Sequence, residues 1–454
     1  MLGIMTREQM TEGPLLKKLL LYTLPVMATG VLQLLFNAAD LVVVGRYAGN
    51  TSLAAVGATG ALINLIVNLF IGLSVGTSVT VAQYIGSGED EKLSRVIHTS
   101  MAASLAGGII VFFIGFFGSH TFLTWMDTPG DVIGLSTLYM KIYFVGIPAN
   151  MVYNFGSAIL RSSGDTKRPL LILTSAGILN VILNLIFVIG FKMSVDGVAW
   201  ATVISQTMSA ALVVAHLIHI KTNIHFDIRK LRFHGRELLT LLKIGIPAGL
   251  QGAMFSISNV IIQSSVNSFG PEFMSGNSAA ANIEGFVYVA MNSFHHTALT
   301  FAGQNVGAKK PDRVTRVLLF CLMYVSGAGI LTGIAAYLLR YPLLGLYLPD
   351  SPVAVQNGIE RMNVIMSTYF TCGIMDVMNG VLRGMGSSLF PMLITVITVC
   401  GLRIVWVYTV FAVFGTPFSL YISYPVSWVL CFSTQLVFYI FAKRSLNYRL
   451  RSKF

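Results

Sequence analysis

Charged residues are scarce in this sequence: 11% of 454 residues are Asp, Glu, Lys or Arg, against 55% hydrophobic ones. A soluble globular chain carries roughly a quarter charged residues. So little charge and so much apolar surface exclude intrinsic disorder and point to a lipid environment. Acids are scarcer than bases, 18 against 30, which leaves a net charge of +12. A nucleic-acid partner would need that excess on a solvated face, and its distribution along the chain shows otherwise. There are four cysteines, Cys321, Cys372, Cys400 and Cys431, all widely spaced inside apolar runs. Neither a disulfide framework nor a zinc site fits them. No HExxH, nucleophile motif or paired catalytic carboxylates occur, so an enzyme is not expected, and no cofactor is called for. The chain has no large soluble domain that could hydrolyse ATP.

Long apolar runs are what the chain does have. A membrane-crossing helix needs about 20 mostly apolar residues, and twelve such runs are found, at 16–45, 53–82, 97–119, 134–158, 169–191, 195–219, 239–268, 277–304, 314–339, 354–380, 389–414 and 418–442. The first sixteen residues are polar, and no cleaved signal peptide is expected. Of the 30 Lys and Arg, 24 fall at the two termini and in the loops after even-numbered runs, three in the odd loops and three within runs. The positive-inside rule then places both termini in the cytoplasm of a multi-pass cell-membrane protein.

The chain repeats itself with an offset of 222. Leu160-Arg161-Ser162-Ser163-Gly164 returns as Leu382-Arg383-Gly384-Met385-Gly386, and Pro25, Gly30 and Pro169 return as Pro247, Gly252 and Pro391. Six spans per half is an even number, so both halves enter the membrane in the same sense, an arrangement common among secondary transporters. The expected fold is therefore all-α, with twelve transmembrane helices in two parallel six-helix lobes. The expected domains are 1–218 and 238–454, joined by a cytoplasmic amphipathic linker, 219–237, that lies on the anionic inner leaflet.

Three acids sit well inside spans: Asp40, Glu284 and Asp376. A carboxylate at membrane depth is costly unless paired, hydrated or protonated, so each is a functional candidate. Asn37 lies one turn before Asp40, Asn180 and Asn184 share a face of run 5, and Thr202 lies in run 6. One carboxylate with neutral oxygens suits a hard cation such as sodium, or a proton on the carboxyl. Interhelical glue is the plainer reading of the same residues. The positions 222 later are Ile262, Leu402, Trp406 and Tyr424. A scaffold requirement should persist in both halves, whereas an ion site is needed in only one. Glu284 either meets a cationic substrate or proton, or is a satisfied structural acid. Asp376 pairs by repeat with Asn154, which suits a structural or gating role near Arg383 or Arg161. Pro25, inside run 1, frees a backbone carbonyl and permits a bend, so it is a candidate hinge.

With its two six-span halves, its repeated Leu-Arg-x-x-Gly and its Gly-Gln-Asn-Val-Gly-Ala at 303–308, the chain resembles the multidrug and toxic compound extrusion (MATE) transporters over nearly its whole length. The resemblance implies a V-shaped pair of lobes. It also implies export of organic cations and amphipathic drugs, driven by inward Na+ or H+. Family members bind the coupling ion through an acid in span 1, two amides or acids in span 5 and a threonine in span 6. Asp40, Asn180, Asn184 and Thr202 match these one by one, although some members carry an acid where Asn184 stands. Others use acids in spans 7 and 10; here Phe255 stands in span 7 instead, and Asp376 lies nearer the Leu-Arg-x-x-Gly loop. Asn37 and Tyr139, the latter at the start of span 4, are placed with Glu284 and Asp376 as candidates for handling substrate or proton. A monomer suffices for this scheme. The rival readings are a receptor or channel, which would want symmetric pore rings, and a lipid-linked oligosaccharide flippase, which would want several cavity Arg or Lys for phosphates. Only Arg403 and Arg361 are available for that.

Overall fold

A computed structural model describes residues 6–349 and 351–451; Lys453 of the basic tail lies outside the described residues. These are almost entirely helical, with no strand among them. Twelve long helical stretches follow one another: α1 (Leu16–Ala48), α2 (Asn50–Ser87), α3 (Asp90–Trp125), α4 (Ile133–Ser162), α5 (Lys167–Gly190), α6 (Val195–His219), α7 (Gly235–Asn267), α8 (Pro271–Gly307), α9 (Pro311–Leu338), α10 (Pro352–Gly384), α11 (Leu389–Phe414) and α12 (Pro417–Asn447). Among the described residues, nine of them are long and apolar enough by composition to cross a membrane. The three that fall short are α4, α8 and α10. They carry the in-span polar residues Lys141, Asn150 and Asn154, then Glu284, His295 and His296, then Glu360, Arg361 and Asp376. α8 packs along α10, and α4 packs between α3 and α6. Polar residues collect on these helices because neighbouring helices, not lipid, surround them.

The helices pack into two compact units. The first runs from Ala28 to Gly249; the second joins Glu8–Met27 to the chain from Leu250 onward. α1 and α7 each pass from one unit to the other within a few residues of Pro25 and Pro247, the paired prolines of the repeat. In the second unit the early part of α1 is fastened to α8: Tyr22 donates to Thr300 Oγ1 at 3.0 Å, and the Thr23 and Thr297 hydroxyls lie 2.7 Å apart.

The repeat is visible atom by atom. Gly164 and Gly386 both adopt positive φ, +94° and +86°. Gly164 N donates to Arg161 O and Asp165 N to Leu160 O; Gly386 N donates to Arg383 O and Ser387 N to Leu382 O. The Leu-Arg-x-x-Gly motif is thus a helix stop, in which glycine takes the left-handed conformation that closes the last turn. α5 and α11 also share a π-helical stretch, Leu185–Gly190 and Val407–Phe411, starting 222 residues apart.

Within the first unit, α2 and α7 approach through glycines spaced four apart on each helix. A Cβ on Gly72 would meet the Gly249 Cα at 2.2 Å, and one on Gly76 the Leu241 carbonyl at 2.3 Å. A Cβ on Gly245 would meet the Leu73 Cα at 2.8 Å. In lipid, helix association rests on such close packing more than on hydrophobic transfer.

The linker lies within the first unit and is held there by its own apolar residues and two histidines. Ile224 and Phe226 are 2% and 3% exposed and join a core of α2, α3, α4 and α6, while Ile228, Leu231 and Phe233 remain exposed. His98 donates from Nδ1 to the Ser94 carbonyl at 2.7 Å and accepts the Asp227 N–H on Nε2 at 3.1 Å. His234 accepts from Arg232 Nε on Nε2 and faces Thr99 Oγ1 with Nδ1, each at 3.0 Å.

Candidate functional site

In the first unit three helices bring four of the anticipated polar residues into one hydrogen-bonded chain. Asn184, fully buried on α5, donates from Nδ2 to Asp40 Oδ1 of α1 at 2.5 Å. The same Nδ2 donates to Asn180 Oδ1, one turn back on α5, at 3.2 Å. Asn180 Nδ2 reaches Thr202 Oγ1 of α6 at 3.5 Å, and Thr202 donates to its own Val198 carbonyl at 3.0 Å. The i,i+4 spacing of the two asparagines puts both amides on the face that meets α1 and α6. Directly after Asn184 and four residues after Asp40, both helices loosen into π turns, Leu185–Gly190 and Val44–Ala48.

Asn184 Oδ1 is buried with no hydrogen-bond partner among the described residues. Turning the amide over would set this oxygen against the Asp40 carboxylate and the Asn180 oxygen, so the chain fixes the orientation. A buried acceptor is left open beside a half-buried carboxylate. That set can take a hard monovalent cation through oxygens alone. It can equally take a proton, since a protonated Asp40 becomes a donor and Asn184 Oδ1 can accept from it. No group of three His, Cys, Asp or Glu that could hold a metal ion occurs among the described residues.

The other anticipated residues lie apart from this chain. Asn37, on Asp40's face by spacing, is exposed. Tyr139 is buried in the first unit's core, its ring stacked on Tyr143 at 6.1 Å. Pro25 lies inside unbroken helix. Asp376 is buried on α10; its backbone carbonyl accepts from His295 Nδ1 at 2.7 Å, while Oδ2 has no hydrogen-bond partner among the described residues. Arg383, an expected neighbour, donates to Gln251 Oε1 at 2.9 Å.

Glu284 is held on both oxygens. Arg361 Nε and Nη2 donate to Oε1 and Oε2 at 2.7 Å each, and Arg361 Nη1 donates to Asn277 Oδ1 at 2.8 Å. Tyr421 OH donates to the same Asn277 oxygen at 3.1 Å. Such a bidentate pair, with its remaining atoms satisfied, is the geometry in which two charges tolerate burial. Sequence reasoning did not anticipate that Arg361 would answer Glu284. The available signal was that Arg361 is one of three basic residues lying inside spans.

Comparison with known proteins agrees with the repeat. The family profile described as MatE matches twice, over residues 25–186 and 247–409. A "Probable multidrug resistance protein YpnP" of Bacillus subtilis is 28% identical over 395 residues, covering 87% of this chain and 88% of that protein. A second from the same organism, "Probable multidrug resistance protein YoeA", is 25% identical over 85% of this chain and 84% of its own length. Among solved structures, a MATE in complex with MaL6 superposes with a TM-score of 0.90 over 97% of this chain and 98% of that one, at 21% identity.

Proposed function

The chain belongs to the MatE family, and from that premise we propose that it is a secondary active exporter, moving cationic and amphipathic drugs out of the cell in exchange for inward Na+ or H+. The names of its multidrug-resistance relatives support the drug-export part of this reading. The observation that carries the coupling part is the oxygen chain Asp40–Asn184–Asn180–Thr202, with one acid and one open acceptor. Its repeat counterparts in the second half, Ile262, Leu402, Trp406 and Tyr424, lack it.

The proposed mechanism follows from charge. Ionised Asp40 accepts from Asn184 and attracts a cationic substrate. A proton or sodium ion arriving from outside removes or shares that charge, which weakens the hold on a cation at the same carboxylate. A ligand shifts a conformational equilibrium only by its differential affinity for the two states. Here the difference is that the carboxylate serves the ion or the substrate, but not both. Exchange of the Asn184 N–H bond to Asp40 for a bound ion or a carboxyl proton shifts α1 against α5, and Pro25, with no N–H to donate, is the hinge about which α1 bends. The distribution of the basic residues supports a cytoplasmic position for both termini and the linker. One chain holds the whole site, so the transporter works as a monomer.

The test is dye efflux from proteoliposomes carrying an imposed Na+ gradient, an imposed pH gradient, or neither. Acceleration by one of the two gradients is expected and identifies the ion. Efflux that ignores both contradicts antiport.

A further inference from the structure

The second unit carries a polar centre of opposite sign at positions that the repeat pairs with residues of the first unit. Arg361, Arg403 and Tyr424 stand 222 residues after Tyr139, Val181 and Thr202. Where the first half places one acid among neutral oxygens, the second places two arginines and one glutamate. Glu284 is consumed by Arg361, which binds both its oxygens. Arg403 is left over. It is 3% exposed, in the middle of α11, and donates from Nε to Ser427 Oγ at 3.0 Å. Its guanidinium lies 4.0 Å from the centroid of the Tyr424 ring and 5.7 Å from Trp428. Arg361 lies over the same Tyr424 ring at 5.6 Å. No carboxylate is within ion-pair distance of Arg403 among the described residues. Its Nη2 is buried there without an acceptor.

The aromatic rings attract a cation, but they supply no acceptor for the N–H and no counter-charge. A guanidinium at membrane depth normally pairs with an acid or lines a functional path. Its planar fork matches the geometry of carboxylate and phosphate oxygens. We propose that Arg403 binds an oxyanion, the carboxylate or phosphate of an amphiphile, with Tyr424, Trp428 and Ser427 holding the guanidinium in place. The transporter then favours substrates that carry an anionic group as well as a cationic centre. The second unit serves the anionic group of the substrate.

This inference rests on export of amphipathic solutes by the chain, but its test is made at equilibrium with no ion gradient, so it fails or stands separately from coupling. The probes are rhodamine B, which has a free carboxylate, and rhodamine B ethyl ester, the same fluorophore without one. Binding to the purified full-length protein in neutral detergent at pH 7.5 is read by fluorescence anisotropy. The wild type should hold the acid at least about tenfold more tightly than the ester, the equivalent of about 1.4 kcal/mol. Arg403→Gln should bring the two within about twofold by weakening the acid alone, with unchanged ester binding as the check on folding. Arg403→Lys should keep part of the preference. In the wild type, displacement of rhodamine B by inorganic phosphate assigns the site to soluble oxyanions, and displacement by phosphatidylglycerol alone assigns it to lipid headgroups. No preference in the wild type, an undiminished preference in Arg403→Gln, or displacement by neither anion overturns the proposal.

Discussion

Asn184 on α5 donates its side-chain N–H to the Asp40 carboxylate on α1 across 2.5 Å, joining residues 144 apart in sequence. A hydrogen bond to a charged acceptor is worth about 1.5–3 kcal/mol. Asn184→Ala removes both this donor and the open Oδ1. Gradient-driven efflux should fall at least about tenfold, from the lower end of that range. Equilibrium binding of a permanently cationic dye should survive, because Asp40 remains. Equal loss of both would mean that Asn184 merely holds the unit together.

Glu284 and Arg361 make a different prediction. Removing one partner of a buried pair strands the other and costs about 3–5 kcal/mol. Glu284→Gln should therefore lower the thermal unfolding midpoint of the solubilised protein sharply. Glu284→Gln combined with Arg361→Gln should recover much of that loss, because no buried charge is then left alone. A double variant as unstable as the sum of the singles would show that the two side chains act independently.

The glycine crossing of α2 and α7 is tested by adding bulk. A Cβ at Gly249 would lie 2.1 Å from the Leu69 carbonyl oxygen, while one at Gly57 meets nothing within 4 Å. Overpacking costs about 1–3 kcal/mol. Gly249→Val should lower the melting midpoint and the yield of folded protein, with Gly57→Ala as the silent control. Equal behaviour of the two would remove the crossing as a packing constraint.

Much of this was legible in the sequence. The offset of 222 and the one-sided distribution of basic residues carried the two-half helical fold, because lipid imposes length and charge rules on every span. Asn180 and Asn184 were readable as one face, and the structure joins them to Asp40 and Thr202. Tertiary placement was not readable. Asn37 shares Asp40's helical face, yet which neighbour covers that face depends on packing, and Asn37 is exposed. Glycines 72, 76, 245 and 249 show their spacing in the sequence, but not that α2 and α7 meet through them. The linker's apolar residues read as a membrane-surface stripe, whereas Ile224 and Phe226 are buried in the first unit.

A pH dependence of the linker is expected from His234, and its sign follows from the surroundings of that side chain. Partial burial, then the neighbouring Arg232 guanidinium, lowers its pKa below the ordinary histidine value, Glu237 opposing and Arg95 and His98 adding to the effect. A base with a depressed folded pKa binds fewer protons folded than unfolded, so docking is strongest above the ordinary value and weakens as pH falls below about 6.5. Amide exchange across 220–234 should quicken between pH 7.5 and pH 5.5, beyond the intrinsic pH effect. His234→Gln should flatten that dependence, and an unaltered dependence in the variant would exclude His234 as its source.

Asp40 is the point on which the coupling mechanism turns. Vesicles loaded with a cationic dye and given the ion gradient that drives the wild type should empty no faster with Asp40→Asn than with the gradient collapsed, while the variant still inserts at the wild-type level. Gradient-driven efflux from Asp40→Asn at the wild-type rate would place the coupling ion elsewhere in the chain.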